Sequence, residues 1–158
     1  MKTLQRFAFI LVLLTLNTAT VRGAENDAAK KDIAQLQGEW TMISGTADGQ
    51  PMPEAMLRGA RRVCKDDVTT VMVGGELFMK ARFILNPSKN PKTIDYQVID
   101  GPTKGKTQLG IYQIDRDRVK FCFGGVGAER PQEFSTKPGD GRTSSVWKRT
   151  AKGPNEPK

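Results

Sequence analysis

Histidine is absent from this chain of 158 residues. Its absence excludes Ser-His-Asp and Cys-His nucleophile pairs, imidazole-bound metals and a histidine general base. The sequence also lacks an H-E-x-x-H helix, a C-x-x-C pair, a P-loop and a G-x-G-x-x-G turn after a strand. We therefore predict no enzymatic activity, no metal site and no cofactor. The one enzymatic alternative is a hydrolase that works without histidine, on carboxylates, lysine or tyrosine.

Cysteine is scarce, with only Cys64 and Cys122 present. In an oxidising compartment two cysteines permit one disulfide bond. The alternation of the surrounding residues turns Cys122 away from the apolar face of its strand, and it places Cys64 on the same face as Arg62. Both thiols are then expected to point outward on distant strands, where they would not meet. The pairing of the two cysteines therefore stays open.

Long apolar runs are missing except at the N-terminus. Phe7–Leu16 is an apolar stretch of ten residues, preceded by the basic residues Lys2 and Arg6. A membrane-spanning helix needs about 20 apolar residues, so this stretch is too short for an anchor. A basic segment, an apolar segment and a small-residue cleavage site are typical of a signal peptide. We predict that residues 1–23 are removed by cleavage before Ala24, and that the protein is periplasmic or extracellular.

The predicted mature chain carries a modest positive charge. The leader holds three of the 25 basic residues and no acidic residue, so 22 basic residues face 17 acidic ones, a net charge of +5. This charge favours contact with anionic envelope components. No nucleic-acid-binding motif is present, and export argues against that partner. We predict one domain over residues 24–149, followed by a disordered tail over residues 150–158.

Short one-sided strands dominate the predicted domain. Apolar and polar residues alternate with a period of two, which places each apolar set on one face of a strand. A closed antiparallel barrel of eight strands, with one or two short helices, buries all these faces and leaves no bare edge. The predicted helices are Ala28–Gln37 and Glu54–Ala60. The predicted strands are Gly38–Ala47, Arg61–Asp66, Val68–Val73, Leu77–Leu85, Thr93–Ile99, Thr107–Ile114, Arg118–Phe123 and Thr143–Arg149.

An eight-stranded barrel has an interior that is either filled by side chains or holds one small ligand. The alternation does not distinguish the two cases. The candidate lining residues share a predicted inward face and are mostly aromatic: Trp40, Met42, Phe83, Tyr96, Phe121 and Phe123. The same parity predicts that Tyr112 faces outward. In the long loop after the seventh strand, Glu129 and Arg130 are expected to form a local ion pair.

A Gly-x-Trp triplet, Gly38-Glu39-Trp40, opens the first predicted strand, and Arg149 ends the last one. This combination resembles the lipocalins, an all-β barrel family. The resemblance implies that Trp40 packs at the closed end of the barrel and that Arg149 lies across its ring as a structural pair. Contact of a cation with an indole face contributes about 0.5–2 kcal/mol.

A more extensive resemblance covers residues 36–148. The segments LQGEWTMISGTADGQPMP, NPKTIDYQVIDGPTKGKTQLGIYQID, RVKFCF and ERPQEFSTKPGDG resemble a family of uncharacterised secreted, lipocalin-like domains that is abundant in planctomycete bacteria. The resemblance implies export and a small β-barrel, and it implies no activity, substrate or catalytic residue. Cys122 matches a frequent cysteine of that family, whereas an aliphatic residue is more usual at the position of Cys64.

Two functions follow from the sequence. The first is a secreted interaction or structural module of the cell envelope, whose basic surface would contact an anionic envelope component. The alternative is a carrier or binder of a small apolar or amphipathic ligand inside the barrel. The sequence leaves the ligand and the oligomeric state undetermined.

Overall fold

The computed structural model describes residues 18–152. In chain order, its helices and strands are α1 (Thr18–Leu36), β1 (Gly38–Ala47), β2 (Gln50–Pro51), α2 (Glu54–Gly59), β3 (Ala60–Lys65), β4 (Val68–Val73), β5 (Glu76–Asn86), β6 (Lys92–Asp100), β7 (Thr107–Asp115), β8 (Arg118–Phe123) and β9 (Thr143–Lys152).

The strands form one antiparallel sheet that closes on itself. Their order is β2-β1-β3-β4-β5-β6-β7-β8-β9, and an additional pairing joins β1 to β9. The closing pair extends from Gly38 opposite Lys152 to Ala47 opposite Thr143. Eight strands therefore make the barrel, and β2 is a short extra strand on the end of β1. The predicted all-β, eight-stranded lipocalin-like barrel is confirmed.

Tight turns connect most neighbouring strands. The β4–β5 hairpin turns at Gly74 and Gly75, whose φ angles are +60° and +89°. A two-residue turn of this kind requires positive φ at both central residues, and glycine adopts it without steric cost. The Gly-Gly pair therefore fixes the register in which β4 returns as β5.

Helix α1 begins earlier than predicted. It starts at Thr18 rather than at Ala28, and it passes through the position of the predicted cleavage before Ala24. The basic and apolar segments of the predicted leader lie outside the described residues. Among the helices of residues 18–152, none combines the length and the apolar character needed to cross a membrane.

Strand β9 is longer than predicted. It continues past Arg149 to Lys152, and its last two residues, Ala151 and Lys152, pair with Glu39 and Gly38. The strand therefore extends three residues past the predicted end of the barrel domain at residue 149. Backbone pairing with β1 continues the strand through polar residues, and residues 153–158 lie outside the described part of the chain.

The closed end of the barrel is filled by the end of α1. Leu36 is buried in the core, and its carbonyl oxygen accepts a hydrogen bond of 2.9 Å from Trp40 Nε1. Gln37 Nε2 donates to the carbonyl oxygen of Asp66 in the β3–β4 turn, also at 2.9 Å. These contacts fix the helix to the barrel and close this end of its interior.

Tyr112 lies inside the barrel, which corrects the predicted outward orientation. It pairs with Phe121 across β7 and β8, and both residues belong to the buried core. The outward residues there, Ile111 and Cys122, are also buried, so burial does not separate the two faces of β7. The loop 124–142 accounts for this burial, since Ser135 from that loop contacts Cys122. The parity argument failed because both faces of β7 carry apolar residues.

Arg130 holds the loop 124–142 on the outside of the barrel. Its guanidinium forms an ion pair of 2.6 Å with Asp95 and donates to the carbonyl oxygen of Gly110 at 2.7 Å. The predicted pair of Glu129 with Arg130 is therefore replaced by a pair between the loop and β6. The sequence favoured Glu129 because it is adjacent to Arg130, whereas Asp95 lies far from Arg130 in the chain and is brought close to it only by the fold.

Gly110 leaves the space that the Phe123 ring occupies. A Cβ at residue 110 would lie 2.4 Å from Phe123 Cδ1, closer than such atoms approach. We expect Gly110→Ala to displace the ring and to lower the free energy of unfolding by about 1–3 kcal/mol. Urea unfolding followed by circular dichroism measures this change. Gly125→Ala is the control, since its Cβ would be 3.5 Å from the nearest atom; equal stability losses in the two variants would contradict the prediction.

Candidate functional site

The end of the barrel opposite α1 contains a cavity of about 230 Å³ that is partly open to solvent. Its apolar wall is formed by Met42, Val71, Val73, Met79, Phe123 and Trp147. Its mouth is formed by Met52, Met56, Phe78 and Pro102, which belong to α2 and its preceding turn, to the start of β5 and to the β6–β7 loop. Its polar groups are Arg62, Tyr96, Thr103, Gln108, Thr143 and Ser145.

Methionine gives the cavity much of its character. The chain has six methionines, and four of them line the cavity: Met42, Met52, Met56 and Met79. Methionine is unbranched, flexible and polarisable, so it adapts to apolar ligands of varied shape. Gly45 makes room for this cluster, because a Cβ there would lie 2.5 Å from Met52 Sδ. The cavity wall can therefore rearrange around a bound molecule.

Three of the six predicted lining residues line the cavity, namely Met42, Tyr96 and Phe123. The other three, Trp40, Phe83 and Phe121, are buried but do not reach it. The alternation of apolar and polar residues correctly placed all six side chains inside the barrel. It gives no information on how far along the barrel axis each side chain lies. The half of the barrel nearer α1 is filled by side chains, and the cavity occupies the other half.

Arg62 is the charged residue among the described lining residues of the cavity, and it was not among the predicted candidates. Its side chain is almost fully buried, and it points into the barrel from β3. Its Nη1 donates to the Tyr96 hydroxyl at 2.5 Å and to Thr69 Oγ1 at 3.1 Å. Arg62 was overlooked because a basic residue in a chain of net positive charge is expected to have a solvated side chain. The available signal was the alternation Ala60-Arg62-Cys64, which places Arg62 between two small, buried residues.

Aromatic rings hold the Arg62 guanidinium in place. Its central carbon lies 4.5 Å from the ring centroid of Phe121 and 4.5 Å from that of Trp147. Two rings at this distance favour a cation, and the favourable interaction increases when water is excluded. Trp147 is itself fixed, because its Nε1 donates to Ser145 Oγ at 2.9 Å. The guanidinium therefore has a defined position at the inner end of the cavity.

The groups beside Arg62 are neutral at neutral pH. Burial raises the pKa of the Tyr96 hydroxyl, and the nearby guanidinium only partly offsets this effect. Burial likewise raises the pKa of the Cys64 thiol. Neither a phenolate nor a thiolate is therefore present to balance the cation. Within residues 18–152, Arg62 also forms no ion pair with a carboxylate.

Trp40 and Arg149 form a contact at the filled end of the barrel. The Arg149 guanidinium carbon lies 4.1 Å from the Trp40 ring centroid. Its Nη atoms donate to the carbonyl oxygens of Gln35 and Gln37, the latter at 2.5 Å. These carbonyls belong to the end of α1, where helix carbonyls lack partners within the helix. The pair therefore joins β1, β9 and α1, and it has a structural role.

Cys64 and Cys122 are free thiols in the structure, so the candidate disulfide is not formed. Cys64 lies inside the barrel, 3.5 Å from Thr69 Oγ1, which corrects the predicted outward orientation. Cys122 lies on the outer face, under the loop that contains Ser135. The two side chains are on opposite sides of the barrel wall, and a disulfide requires Cβ atoms within about 4.5 Å.

A buried hydrogen bond at the closed end predicts sensitivity to alkali. The Tyr112 hydroxyl lies 2.7 Å from Asp32 Oδ2, and burial together with this carboxylate raises the Tyr112 pKa well above its ordinary value. The folded state thus holds this proton more tightly than the unfolded state does. The resulting stabilisation is complete below the unfolded pKa of about 10 and is lost as the pH rises above it.

We therefore expect the free energy of unfolding to fall as the pH rises above about 10, and to fall less steeply in Tyr112→Phe. Urea unfolding at about pH 8 and about pH 11 gives the two slopes. All other side chains are the same in both proteins, so the difference between the slopes isolates residue 112. Identical slopes would show that Tyr112 does not carry the effect.

Comparisons of the chain with protein families, with curated proteins and with solved structures each found no match. Within residues 18–152 there is also no group of three or more Cys, Asp or Glu side chains placed to hold a metal ion. The described part of the chain is a lipocalin-like barrel of eight strands with a methionine-rich cavity and a buried cation.

Proposed function

We propose that this protein binds a small apolar or amphipathic molecule inside its barrel. The observation that carries the proposal is the cavity of about 230 Å³ at the open end, with its methionine and aromatic lining. An apolar cavity of about 150 Å³ is sufficient to bind benzene. The cavity here is larger and opens to solvent, so a ligand somewhat longer than one ring fits with one end at the mouth.

The cavity favours this function over that of an envelope module with a solid barrel. Several basic side chains that would serve an anionic surface are engaged within the protein, such as Arg82 with Asp67 and Lys92 with Asp32. The open cavity, in contrast, is lined mostly by apolar side chains. We assign it a binding role and no reaction.

We also propose that binding takes place outside the cytoplasm, after export. Support comes from the sequence of residues 1–23, with its basic segment and the apolar segment Phe7–Leu16. The intact mass of the protein isolated from its own cells tests this point. A mature chain beginning at Ala24 is expected, whereas a chain that retains Met1 in the cytoplasm would contradict export.

The binding proposal is tested with N-phenyl-1-naphthylamine, an uncharged probe whose fluorescence rises in apolar sites. We expect saturable binding of one probe per chain. Val73→Phe adds a ring to the cavity wall and is expected to weaken probe binding at least about tenfold, since the ring occupies the ligand's space. Val63→Phe adds the same ring to the outer face of β3, where residue 63 is 42% exposed, and is expected to change nothing.

Two outcomes would contradict the proposal. The first is the absence of saturable binding to the folded protein. The second is an equal loss of affinity in Val73→Phe and Val63→Phe, which would place the probe outside the cavity. Circular dichroism and thermal unfolding of each variant establish that the barrel is intact.

A further inference from the structure

The cavity ends on a cation whose anionic partner is missing from the described part of the chain. Arg62 is 4% exposed and forms no ion pair among residues 18–152. It donates hydrogen bonds to two hydroxyls and interacts with the neutral Cys64 thiol, and its Nε is buried without a hydrogen-bond partner. Buried charges in proteins are ordinarily paired, because the loss of hydration is costly. An unpaired guanidinium beside a cavity points to a partner that arrives from outside.

The charge of the lining residues indicates the charge of that partner. Arg62 is the one cation among the described lining residues, and they include no Asp or Glu. A ligand with a single negative charge would therefore neutralise the charge of Arg62. A guanidinium binds a planar carboxylate through two parallel N–H···O bonds. A phosphate monoester carries nearly two negative charges at neutral pH, so it would leave one of them unbalanced in an apolar site.

The rest of the cavity indicates the shape of the ligand. The methionines Met52 and Met56 lie at the mouth, and Met42 and Met79 lie on the wall between the mouth and Arg62. An apolar chain placed along this path would have its polar end at the guanidinium and its other end toward solvent. Tyr96 and Ser145, whose hydroxyls accept hydrogen bonds from Arg62 and Trp147, also line the cavity.

We infer that the ligand is an amphiphile with a single carboxylate, held by Arg62 at the inner end of the cavity with its apolar chain among the methionines. This inference rests on the proposed function, since it names the class of ligand for the same cavity. The positions of the other polar side chains follow from it. Tyr96 and Thr69 orient the guanidinium, and Phe121 and Trp147 fix its plane.

The experiment compares ligands that share one chain and differ in charge. Decanoate, decanol, decylamine and decyl phosphate each compete with N-phenyl-1-naphthylamine for the full-length protein. We expect the dissociation constant of decanoate to be at least about tenfold below that of decanol, the ratio typical of a hydrogen bond to a charged group. Decylamine is expected to bind more weakly than decanol, because its ammonium would meet the guanidinium.

Two variants assign the preference to one side chain. Arg62→Met removes the charge at similar length and is expected to abolish the preference for decanoate over decanol. Arg61→Met is the matched control. Arg61 is the adjacent residue on β3, exposed on the outer face, where it donates to the carbonyl oxygens of Arg58 and Ala60. We expect Arg61→Met to retain the full preference for decanoate.

Equal affinities of the wild-type protein for decanoate and decanol would overturn the carboxylate inference and leave the proposed function standing. Tighter binding of decyl phosphate than of decanoate would overturn it in favour of a phosphate ligand. Failure of the uncharged probe to bind would overturn the proposed function itself. Should Arg62→Met not fold, Arg62→Lys keeps the charge but loses the paired donors, and its expected result is a several-fold smaller preference for decanoate.

Discussion

Arg62→Met is expected to stabilise the ligand-free protein, by about 1–2 kcal/mol in the free energy of unfolding. The substitution removes a buried charge that has no carboxylate partner in residues 18–152, and methionine fills much of the same volume with apolar atoms. Loss of the hydrogen bonds to Tyr96 and Thr69 offsets part of the gain. Urea unfolding followed by circular dichroism measures the difference.

Ligand should reduce this difference in stability. A ligand that binds only the folded state adds about 2.7 kcal/mol at one hundred times its dissociation constant. Because Arg62→Met is expected to bind decanoate about tenfold more weakly, its advantage in stability should shrink by about 1.4 kcal/mol when decanoate saturates both proteins. Arg61→Met should stay within about 0.5 kcal/mol of the wild type without ligand. A loss of more than about 1 kcal/mol in ligand-free Arg62→Met would instead make the guanidinium a structural residue.

Trp40→Ala is expected to lower the free energy of unfolding by about 3–5 kcal/mol. Trp40 is completely buried at the closed end of the barrel. Alanine would leave a large void and remove the 2.9 Å hydrogen bond to Leu36. The Arg149 guanidinium would also lose its contact with the indole ring. Because a loss of this size approaches the whole stability of many domains, thermal unfolding is measured beside urea unfolding.

Trp40→Phe separates stability from binding. Phenylalanine keeps a ring beneath Arg149 but loses the Nε1 donor, so an intermediate loss of stability is expected. Trp40 does not line the cavity, and the affinity for N-phenyl-1-naphthylamine should therefore remain within about twofold of the wild type. A tenfold loss of probe affinity in Trp40→Phe would show that ligand reaches the closed end.

The strands and their closure were predictable because their signal is local. Alternation in segments such as Ile94, Tyr96 and Val98 depends only on residues next to one another in the chain, and a closed barrel is the arrangement that covers all such faces. The inward orientation of Trp40, Met42, Phe83, Tyr96, Phe121 and Phe123 followed from the same signal.

The errors come from contacts between distant parts of the chain. Tyr112 was predicted to face outward because Ile111 is apolar, but the loop 124–142 covers the outer face where Ile111 and Cys122 lie. Arg62 was grouped with surface cations because its neutral surroundings come from Tyr96, Phe121 and Trp147 on other strands.

The depth of the cavity was not predictable for a related reason. Met52 precedes the short helix α2 and Met56 lies within it, and nothing local shows that this segment folds over the open end of the barrel. How far the side chains fill an eight-stranded interior depends on the sum of all inward volumes. The inward side chains fill the region around Trp40, and they leave space beside Arg62.

Methionine methyl NMR during a titration with decanoate tests binding inside the barrel most directly. The methionines that line the cavity serve as probes, and a methionine outside the cavity serves as the control. The account predicts that the methyl signals of Met42, Met52, Met56 and Met79 shift together and saturate at one ligand per chain. Met72 lies on β4 between Val71 and Val73 but does not line the cavity, so its signal should stay in place. Unchanged signals from the four cavity methionines, or a shift confined to Met72, would contradict binding inside the barrel.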